Sequence, residues 1–509
     1  MRGRNVGRRD TIAANALALI TIALYWWIWG AFVPPTESHD EAAYLLQARI
    51  FASGKWIEPA RPLPEFFEQF HVLVTPVLAA KYPPGHSLLL VPGVLAGFPP
   101  LVPLVLAGLS ATLLFVLVRR LTDLPIAFLA WLFWLLAPLN VRFYPSYLSE
   151  VSTATLWLLG WWSLLRWWEG GQRRWLIGLS LCAAWMALCR PLTAVAFALP
   201  SGVVVLTGLV RRRSARGVVM AVCVGGLIAG ILPLSNARTT GDWRELPFVM
   251  YSRMYMPWDR MGFGFDSTPP ARQPSPEVEA LTAVYRPLHE AHTLANLPGL
   301  AGARALRLAL GSWGRGGWFL LPLAAAGLWT LGWYGVVPLT AAALLLVLYL
   351  AYAHPLAWMV YYLEAVPVLV VLLAVGAGRI FAAVRSRRLN PPMKAGLHTS
   401  LAVVICLSLC WSASEVPDQR RKQLRLHADD WTLENGLRTI GARKAIVFVH
   451  YGPGHIVHQS LIRNEPDLEH SRIWLVHDFG PADSLLLNMA SDRTPYLYDE
   501  EHRRLLKLR

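Results

Sequence analysis

The stretch PGHSLLLVPGVLAGF, residues 84–98, decides how the chain crosses a membrane. It is apolar, but a membrane-spanning helix needs about 20 residues and this stretch is shorter. A proline and two glycines also interrupt its second half. If it crossed, Arg119 and Arg120 would lie outside, contrary to the excess of Lys and Arg in cytoplasmic loops. We therefore predict that it forms an interfacial or re-entrant helix that does not cross.

The composition of the whole chain is that of a membrane protein. Of its 509 residues, 55% are hydrophobic and only 16% are charged, which would leave a soluble domain with too much exposed apolar surface. The net charge of +15 comes from arginines clustered between apolar runs, the pattern that sets membrane orientation. No stretch joins a basic stripe to a nucleic-acid-binding motif, so we predict no nucleic-acid partner. The five cysteines lie in apolar runs and predict neither disulfides nor a zinc site.

About eleven apolar segments are long enough to cross a bilayer. They lie at approximately 12–33, 99–118, 124–140, 150–167, 175–189, 192–210, 217–235, 317–332, 335–353, 358–380 and 395–413. With these crossings, the arginine clusters between spans fall in the cytoplasm together with the amino terminus. The arginines on that side include Arg2, Arg4, Arg8, Arg9, Arg119, Arg120, Arg211, Arg212 and Arg213. No small-residue cleavage site follows the first span, so we expect no cleaved signal peptide.

The remaining segments then face outward. They are a first loop at 34–98, a short loop around 140–150, a long loop at 236–316 and the tail from 414. In the tail, AIVFVH (445–450) and IWLVH (473–477) predict short buried strands, and residues 431–440 predict a helix. We therefore predict a membrane domain, residues 1–413, and a small α/β domain outside the cytoplasm, residues 414–509. The absence of an Asn-X-Ser/Thr sequon and the excess of Arg over Lys favour a bacterial inner membrane.

Acidic residues close to the predicted spans are the strongest candidates for function, because a charged side chain at a helix centre costs about 2.5–3.5 kcal/mol on insertion scales. Asp40 and Glu41 follow the first span and open a predicted helix, residues 40–53. Helical spacing puts Asp40, Tyr44 and Gln47 on one face of this helix. The structural alternative for Asp40 is a helix N-cap, and for Glu41 a first-turn acid that the helix dipole favours.

Further polar residues are predicted on the same outer side as Asp40. Glu150 starts the fourth span, and Glu364 lies a few residues inside the tenth, next to Tyr361 and Tyr362. The cations predicted on that side are Lys81, His86, Arg190, Arg238 and His354. Structural alternatives stay open for most of them. The glutamates could pair with an arginine in the bundle, the tyrosines could belong to an aromatic belt, Lys81 could snorkel to the interface, and Arg190 could close a turn.

Six stretches, taken in order along the chain, resemble segments of the GT-C glycosyltransferases, in particular the bacterial family that includes the protein mannosyltransferases and the aminoarabinose transferase of lipid A. They are HDEAAYLLQARIFASGKW (39–56), KYPPGH (81–86), YPSYLSE (144–150), CRPLTA (189–194), NARTTGDWRELPF (236–248) and WMVYYLEAVPVLVVLLAVG (358–376). The order and predicted topology make the resemblance specific, although no single motif is diagnostic. One departure is Tyr82, which separates Lys81 from Pro83 and Pro84, whereas the aminoarabinose enzymes carry Lys-Pro-Pro.

The resemblance implies an all-α polytopic membrane protein of the GT-C fold that transfers a sugar from a polyprenyl-phosphate carrier, with inversion, on the outer face of the membrane. The acceptor would be a glycan, a lipid or a protein, and membrane lipids would surround the enzyme. We expect Asp40 to be the general base, with Glu41 beside it. The predicted donor-phosphate residues are Lys81, His86 and Arg190. The predicted sugar- or acceptor-binding residues are Tyr44, Glu150, Arg238, His354, Tyr361, Tyr362 and Glu364.

The chemistry of such a transfer fits these residue types. Displacing a polyprenyl phosphate from a sugar needs a carboxylate to accept the acceptor's proton and cations to hold the phosphate. The residues imply no cofactor. A divalent cation on Asp40, Glu41 and Glu150 stays open, although no His-rich ligand spacing supports it. Two other functions stay open as well: a transporter or flippase of a lipid-linked substrate, for which inverted repeats would be expected, and a non-catalytic scaffold.

Overall fold

The helices of the chain account for most of its length. The structure is a computed structural model, and it describes residues 7–212, 216–314, 317–456, 458 and 460–508. Arg2, Arg4 and Arg213, which we predicted to be cytoplasmic, lie outside these ranges. The chain divides into two compact units, which are described separately. The first unit comprises Met1–Gly30, Pro103–Gly230 and Thr293–Arg421, and the second comprises Ala31–Val102, Ile231–His292 and Lys422–Arg509.

The α-helices follow one another with short connections over most of the chain. The first nine are α1 (Arg8–Trp29), α2 (His39–Ala52), α3 (Gly85–Leu95), α4 (Leu101–Leu121), α5 (Leu124–Leu136), α6 (Pro138–Phe143), α7 (Ser149–Gly170), α8 (Arg173–Cys189) and α9 (Pro191–Arg212). The others in the described residues are α10 (Arg216–Ala229), α11 (Ile231–Thr240), α12 (Pro247–Tyr255), α13 (Pro276–Ala291), α14 (Leu297–Trp313), α15 (Leu321–Leu331), α16 (Trp333–Tyr349), α17 (Val366–Ser386), α18 (Pro391–Arg438) and α19 (Asp483–Met489).

Several helices of the described chain are suited to a lipid environment. Six stretches are long and apolar enough to cross a membrane, and they are α1, α4, Pro191–Val210 in α9, Arg216–Thr240 across α10 and α11, Met359–Ser386 including α17, and α18. The protein is therefore a membrane protein. Each of the other predicted spans overlaps a helix, but those helices are shorter or less apolar. The count of eleven crossings stays a prediction.

Residues 84–98, which decided the predicted topology, contain a short helix. Helix α3 has 11 residues and carries Pro92 in its interior. At 1.5 Å per residue it is about 16 Å long, roughly half of the thickness of a hydrocarbon core. It packs against α2 within the second unit. Its length agrees with a helix that does not cross, and its position at the membrane surface stays a prediction.

The second unit contains two small sheets. Strands β1 (Glu58–Pro59), β2 (Val72–Leu73) and β3 (Val77–Ala80) form an antiparallel sheet in the order β1-β3-β2. Strands β4 (Ala445–His450), β5 (Ile473–His477), β6 (Thr494–Asp499) and β7 (Arg504–Lys507) form the other sheet, in the order β5-β4-β6-β7. Strand β4 is parallel to β5 and β6, whereas β7 is antiparallel to β6. Strands β4 and β5 have the predicted bounds, because a strand buried on both faces reads as a continuous apolar run.

The tail packs with other parts of the second unit. Phe66 and Phe67, from the first loop, share a hydrophobic cluster with Ile446 and Phe448 of β4 and Val476 of β5. The predicted boundary at residue 413 falls inside α18, which continues to Arg438. The compact units therefore divide the chain differently from the two predicted domains. The apolar residues through which the first loop contacts the tail lie far apart in the sequence. The contact could therefore not be predicted from the hydrophobic pattern.

The long loop predicted at 236–316 is largely helical. Helices α12 and α13 build a second hydrophobic cluster, in which Tyr251, Tyr255 and Leu281 pack with Phe70 and Leu73 of the first loop. This cluster places the middle of the first loop, with His71, against α12. Helix α14 belongs to the first unit. The long loop thus contributes to both compact units.

Candidate active site

Asp40 lies in the first turn of α2. The N-cap of this helix is Ser38, so the alternative that Asp40 caps the helix is wrong. Its carboxylate bonds instead to side chains that follow it in the chain. The Tyr82 hydroxyl donates to Asp40 Oδ1, and His71 Nδ1 lies 3.5 Å from the same oxygen. The predicted helix and the predicted shared face of Asp40, Tyr44 and Gln47 are confirmed, because all three side chains contact the segment of β3 and the residues after it.

The three side chains Asp40, Tyr82 and His71 determine one another's protonation. The Tyr82 oxygen lies 2.8 Å from His71 Nδ1. A phenol has a single proton, so when Tyr82 donates to Asp40, the Nδ1–H of His71 must donate to the Tyr82 oxygen. Both donors stabilise the ionised carboxylate. Although burial opposes ionisation, the neighbouring His71 and the Tyr82 hydroxyl hold the pKa of Asp40 well below its usual range.

The second oxygen of Asp40 remains available. The side chain is 27% exposed, and Oδ2 accepts no hydrogen bond from the residues that the structure describes. A carboxylate held through one oxygen by neutral donors keeps the other as a proton acceptor. The neighbour Glu41 is different, because it is buried and accepts a hydrogen bond of 2.8 Å from the backbone N–H of Glu37. Burial, and then the charge of Glu37, raise the pKa of Glu41 well above its usual range.

Lys81 lies one residue before Tyr82, and its charge is already paired. Its side chain is 2% exposed and donates to Asp259 Oδ2 at 2.9 Å. The ammonium also lies 4.8 Å from the ring centre of Phe248 and 5.0 Å from that of Tyr251. The alternative of a snorkelling anchor is therefore wrong, because the ammonium is not in contact with water or headgroups. A phosphate could reach Lys81 only if it replaced Asp259.

The remaining predicted residues of the second unit do not face the Asp40 carboxylate. Tyr44 is buried and stacks on Tyr82 with 4.5 Å between ring centres. His86 is fully buried and meets Tyr44 edge-on at 4.7 Å. Tyr44 therefore supports the ring of Tyr82, and His86 packs against Tyr44. Arg238 is exposed on α11 and makes no ion pair with the residues that the structure describes.

The first unit contains a second polar cluster, around Arg190. This residue lies between the end of α8 and the start of α9, so it occupies the predicted turn. Its Nη1 donates to Glu150 Oε1 at 2.5 Å, and its Nη2 donates to the hydroxyl of Tyr349 at 2.7 Å. The guanidinium also lies 5.1 Å from the ring centre of Tyr361. The Arg190 and Glu150 side chains are only 10% and 4% exposed, so the pair is largely withdrawn from solvent.

Glu364, Tyr362 and His354 lie near the Met359–Ala365 turn that precedes α17. Thr153 of α7 donates a hydrogen bond to Glu364 Oε1, and Glu364 is fully buried. The hydroxyl of Tyr362 lies 3.0 Å from His354 Nε2. Tyr362 has non-helical backbone angles, which divide the predicted tenth span into a turn and α17. The first unit therefore brings together Glu150, Arg190, His354, Tyr361, Tyr362 and Glu364, as the predicted topology suggested.

Comparisons with known proteins test the resemblance. No protein-family model and no curated protein sequence matches the chain. Among solved structures, it is similar to ArnT from Cupriavidus metallidurans bound to undecaprenyl phosphate, with a TM-score of 0.51 and 15% identity, over 95% of this chain and 90% of that chain. It is also similar to the apo state of that protein, with a TM-score of 0.52 and 15% identity, over 95% and 93% of the two chains. The chain has the GT-C fold.

The GT-C fold of this chain contains site residues that the sequence did not reveal. His71 and Asp259 belong to the cluster around Asp40 and Lys81, but each lies far along the chain from its partner. Arg304 of α14 is fully buried and donates to the backbone oxygens of Tyr349 and Tyr352, at 2.6 and 2.9 Å. The two arginines Arg304 and Arg307 inside an otherwise apolar helix were the local signal that could have identified it.

The described part of the GT-C fold contains no group of three or more His, Cys, Asp or Glu side chains that could hold a metal ion. Glu41 and Glu150, which we considered as cation ligands together with Asp40, are engaged by a backbone N–H and by Arg190. What the described residues supply is an ionised, partly exposed carboxylate at Asp40, and a buried arginine–glutamate pair bordered by tyrosines. The first arrangement suits proton abstraction, and the second suits anion or sugar binding once its pairing changes.

Proposed function

We propose that the protein is a membrane glycosyltransferase that moves a sugar from a polyprenyl-phosphate-linked donor to a hydroxyl group of an acceptor, with inversion at the sugar carbon. The observation that carries this proposal is the state of Asp40, which is held through Oδ1 by Tyr82 and His71 while Oδ2 is available. The GT-C fold, shared with ArnT over 95% of this chain, supports the reaction class. The ArnT structure holds undecaprenyl phosphate, a polyprenyl phosphate of the kind proposed here as the leaving group.

Asp40 would act as the general base in a single displacement. As the acceptor oxygen forms its bond to the sugar carbon, its proton passes to Asp40 Oδ2, and the bond from that carbon to the phosphate oxygen breaks. The polyprenyl phosphate leaves with the electron pair of that bond, so the negative charge moves from the carboxylate to the phosphate. A sugar carbon with cationic character develops between them. Glu41 is not proposed as a second base, because its carboxylate is bound to the backbone of Glu37.

The leaving phosphate needs a cation, and the residues proposed to supply it remain Lys81, His86 and Arg190. A guanidinium has five N–H donors and can bind a phosphate through two of them while a tyrosine supports it. Lys81 would first have to exchange Asp259 for the phosphate, Arg190 would likewise have to exchange Glu150, and His86 is fully buried against Tyr44. The roles proposed for Glu150, His354, Tyr361, Tyr362 and Glu364 are contacts to the sugar or acceptor.

We also propose the membrane arrangement that the reaction requires. The chain would cross the inner membrane of a bacterium about eleven times, with the amino terminus in the cytoplasm and the tail outside. Arg119 and Arg120, which end α4 and pair with Asp10 and Glu169, would then lie on the cytoplasmic side. A reporter fused to the carboxyl terminus should therefore be active only if it works outside the cytoplasm. Activity of a strictly cytoplasmic reporter would contradict both the arrangement and the function.

Binding of the carrier tests the function without knowledge of the sugar. The protein, purified in lipid nanodiscs, should retain undecaprenyl phosphate in native mass spectrometry and should not retain undecaprenol, which lacks the phosphate. The function can also be tested in cells. Extracts of the cell envelope from a deletion strain should lack one sugar-bearing product. Equal retention of both lipids, together with an unchanged set of envelope products, would overturn the proposal.

A further inference from the structure

The tail of the chain reaches the Asp40 cluster through the connection between β4 and β5. One residue of this connection, His455, lies between two carboxylates of the second unit. Its Nε2 is 3.1 Å from Glu277 Oε1 of α13, and its Nδ1 is 2.8 Å from Glu500 Oε1 after β6. Although burial opposes protonation, the hydrogen bonds that the ring donates to these carboxylates raise the pKa of His455 to about 9. His455 is therefore charged near neutral pH and ties the connection to α13.

Two more hydrogen bonds fix the same connection. Ser460 Oγ donates to Glu277 Oε2 at 3.0 Å, so the connection is held on both sides of residue 458. His477, at the end of β5, lies with its Nε2 2.9 Å from the backbone oxygen of Glu68 in the first loop. The position of the connection is thus determined by contacts to α13 and to the first loop.

The side chain of that residue, His458, lies beside the proposed base. Its ring centre is 5.7 Å from that of His39, the residue before Asp40 in α2. Its Nε2 is 3.4 Å from the hydroxyl of Tyr285 in α13. Burial lowers the pKa of His458, and the charge of Asp40 partly opposes this, so the ring is neutral near pH 7. His458 is exposed on its other side.

We propose that His458 forms the acceptor side of the Asp40 site and contacts a sugar ring of the acceptor, so that the tail is part of the transferase. The inference rests on the proposed function, and specifically on Asp40 as the base. A neutral imidazole offers one N–H donor and one nitrogen acceptor, and Tyr285 beside it offers a hydroxyl. Ring faces combined with hydrogen-bonding edges suit a carbohydrate, which has apolar C–H faces and hydroxyl groups at its edges.

A packing role alone would not explain this geometry. His455, Ser460 and His477 already hold the connection, and the side chain of His458 is partly open to solvent. Removing its ring should therefore leave the fold intact. The variant His458→Ala tests the role, and His458→Gln restores a hydrogen-bonding group near the position of Nε2. A matched control is His470→Ala in the same connection, since His470 is 83% exposed and pairs with Asp467.

The variants are expressed in a deletion strain, and mass spectrometry measures the sugar-bearing product and the unreacted lipid-linked sugar. Loss of a neutral hydrogen bond to the acceptor should lower the rate of product formation about 3–10-fold in His458→Ala. The lipid-linked sugar should accumulate, because the donor still binds. We expect His458→Gln to recover at least part of the rate, and His470→Ala to equal the wild type. All variants should have the wild-type melting temperature and retain undecaprenyl phosphate.

Three results decide the outcome. Product formation in His458→Ala at the wild-type rate would overturn the inference and leave the proposed function standing, provided that Asp40→Asn abolishes transfer in the same strain. A fall in melting temperature without recovery in His458→Gln would show a structural role and would also overturn it. If Asp40→Asn transferred sugar normally, the proposed function itself would fail, whatever His458→Ala did.

Discussion

Asp40 of the second unit and Glu150 of the first unit are both carboxylates in the first turn of a helix, and both were predicted as site residues. Asp40 is 27% exposed, and its partners Tyr82 and His71 bind the same oxygen. Glu150 is 4% exposed and forms an ion pair with Arg190. A carboxylate that neutral donors hold through one oxygen can still accept a proton. A buried carboxylate that pairs with an arginine stabilises the fold, because the buried charge of the arginine would be costly without it.

The same contrast separates the other acidic groups of the second unit. Glu277 pairs with His455 and accepts from Ser460, so it resembles Glu150 rather than Asp40. Asp259 neutralises Lys81 in the same way. Position in the chain therefore says less about the role of a carboxylate than the charge of its partner does. We call Asp40 the open carboxylate, because one of its oxygens is available, and Glu150 the closed carboxylate, because it is paired with an arginine. Substitution of Asp40 should lower the rate of sugar transfer, and substitution of Glu150 should lower the stability of the fold.

The largest effect is expected for Asp40→Asn. Asparagine keeps the shape of the side chain and an oxygen that can accept the hydrogen bond from Tyr82, but it cannot act as a base that accepts a proton. A positioned general base contributes roughly 10²–10⁴-fold, so the rate of sugar transfer should fall by about that factor. The melting temperature should stay within a few degrees of the wild type. Product formation in the complemented deletion strain measures the rate.

The neighbouring variant Glu41→Gln is the matched control for Asp40→Asn, because it removes a carboxylate one residue away. Its carboxylate binds the backbone of Glu37, so the rate of transfer should change by far less. If the two variants lost transfer equally, the distinction between an open and a bound carboxylate would not hold, and Asp40 would lose its assignment.

The second prediction concerns the closed carboxylate Glu150. Glu150→Gln removes the carboxylate that pairs with the buried Arg190, and breaking a buried ion pair costs roughly 3–5 kcal/mol of stability. The melting temperature in nanodiscs should therefore fall clearly. Glu434→Gln, on the exposed Arg438–Glu434 pair of α18, is the control and should cost at most about 0.5 kcal/mol. Unchanged stability in Glu150→Gln would contradict this prediction, and a loss of transfer in that variant would leave Glu150 only its proposed contact to the sugar or acceptor.

The third and smallest effect is a shift in pH dependence in Tyr82→Phe. The Tyr82 hydroxyl and His71 lower the pKa of Asp40, so in the wild type the base stays ionised well into the acid range. A base works in its ionised form, so activity is lost as the pH falls through its pKa. Removing the hydroxyl raises that pKa, and the acid limb of the rate profile should move to higher pH.

Near pH 7 the rate of Tyr82→Phe should change little, because Asp40 would still be ionised there. Tyr496→Phe, on strand β6 of the tail, is the matched control and should keep the wild-type profile. An acid limb that stayed in place in Tyr82→Phe would show that the phenol does not tune Asp40. A uniform loss at every pH would show that Tyr82 only maintains the packing around Asp40.

The sequence by itself determined the features that depend on local periodicity and composition. The apolar runs correctly predicted helices at all the proposed spans, and the continuous apolar runs of the tail predicted Ala445–His450 and Ile473–His477 with their observed bounds. The short, interrupted stretch at 84–98 indicated a helix too short to cross. The motifs around Asp40 indicated the GT-C fold, which the similarity to ArnT supports. The helices and strands are encoded by neighbours in the chain, through helical or strand spacing, whereas the fold family came from the resemblance.

Only the tertiary structure decided which side chains are partners. The pairing of Lys81 with Asp259, the contacts of His71 with Asp40, and the packing of the tail on the first loop join residues far apart in sequence. Such pairs leave no periodic trace, because they depend on which helix faces pack together and on how burial changes the energy of a charge. Composition could therefore find the carboxylates. The tertiary contacts determine that Glu150 is ion-paired with Arg190, whereas Asp40 has one oxygen available to accept a proton.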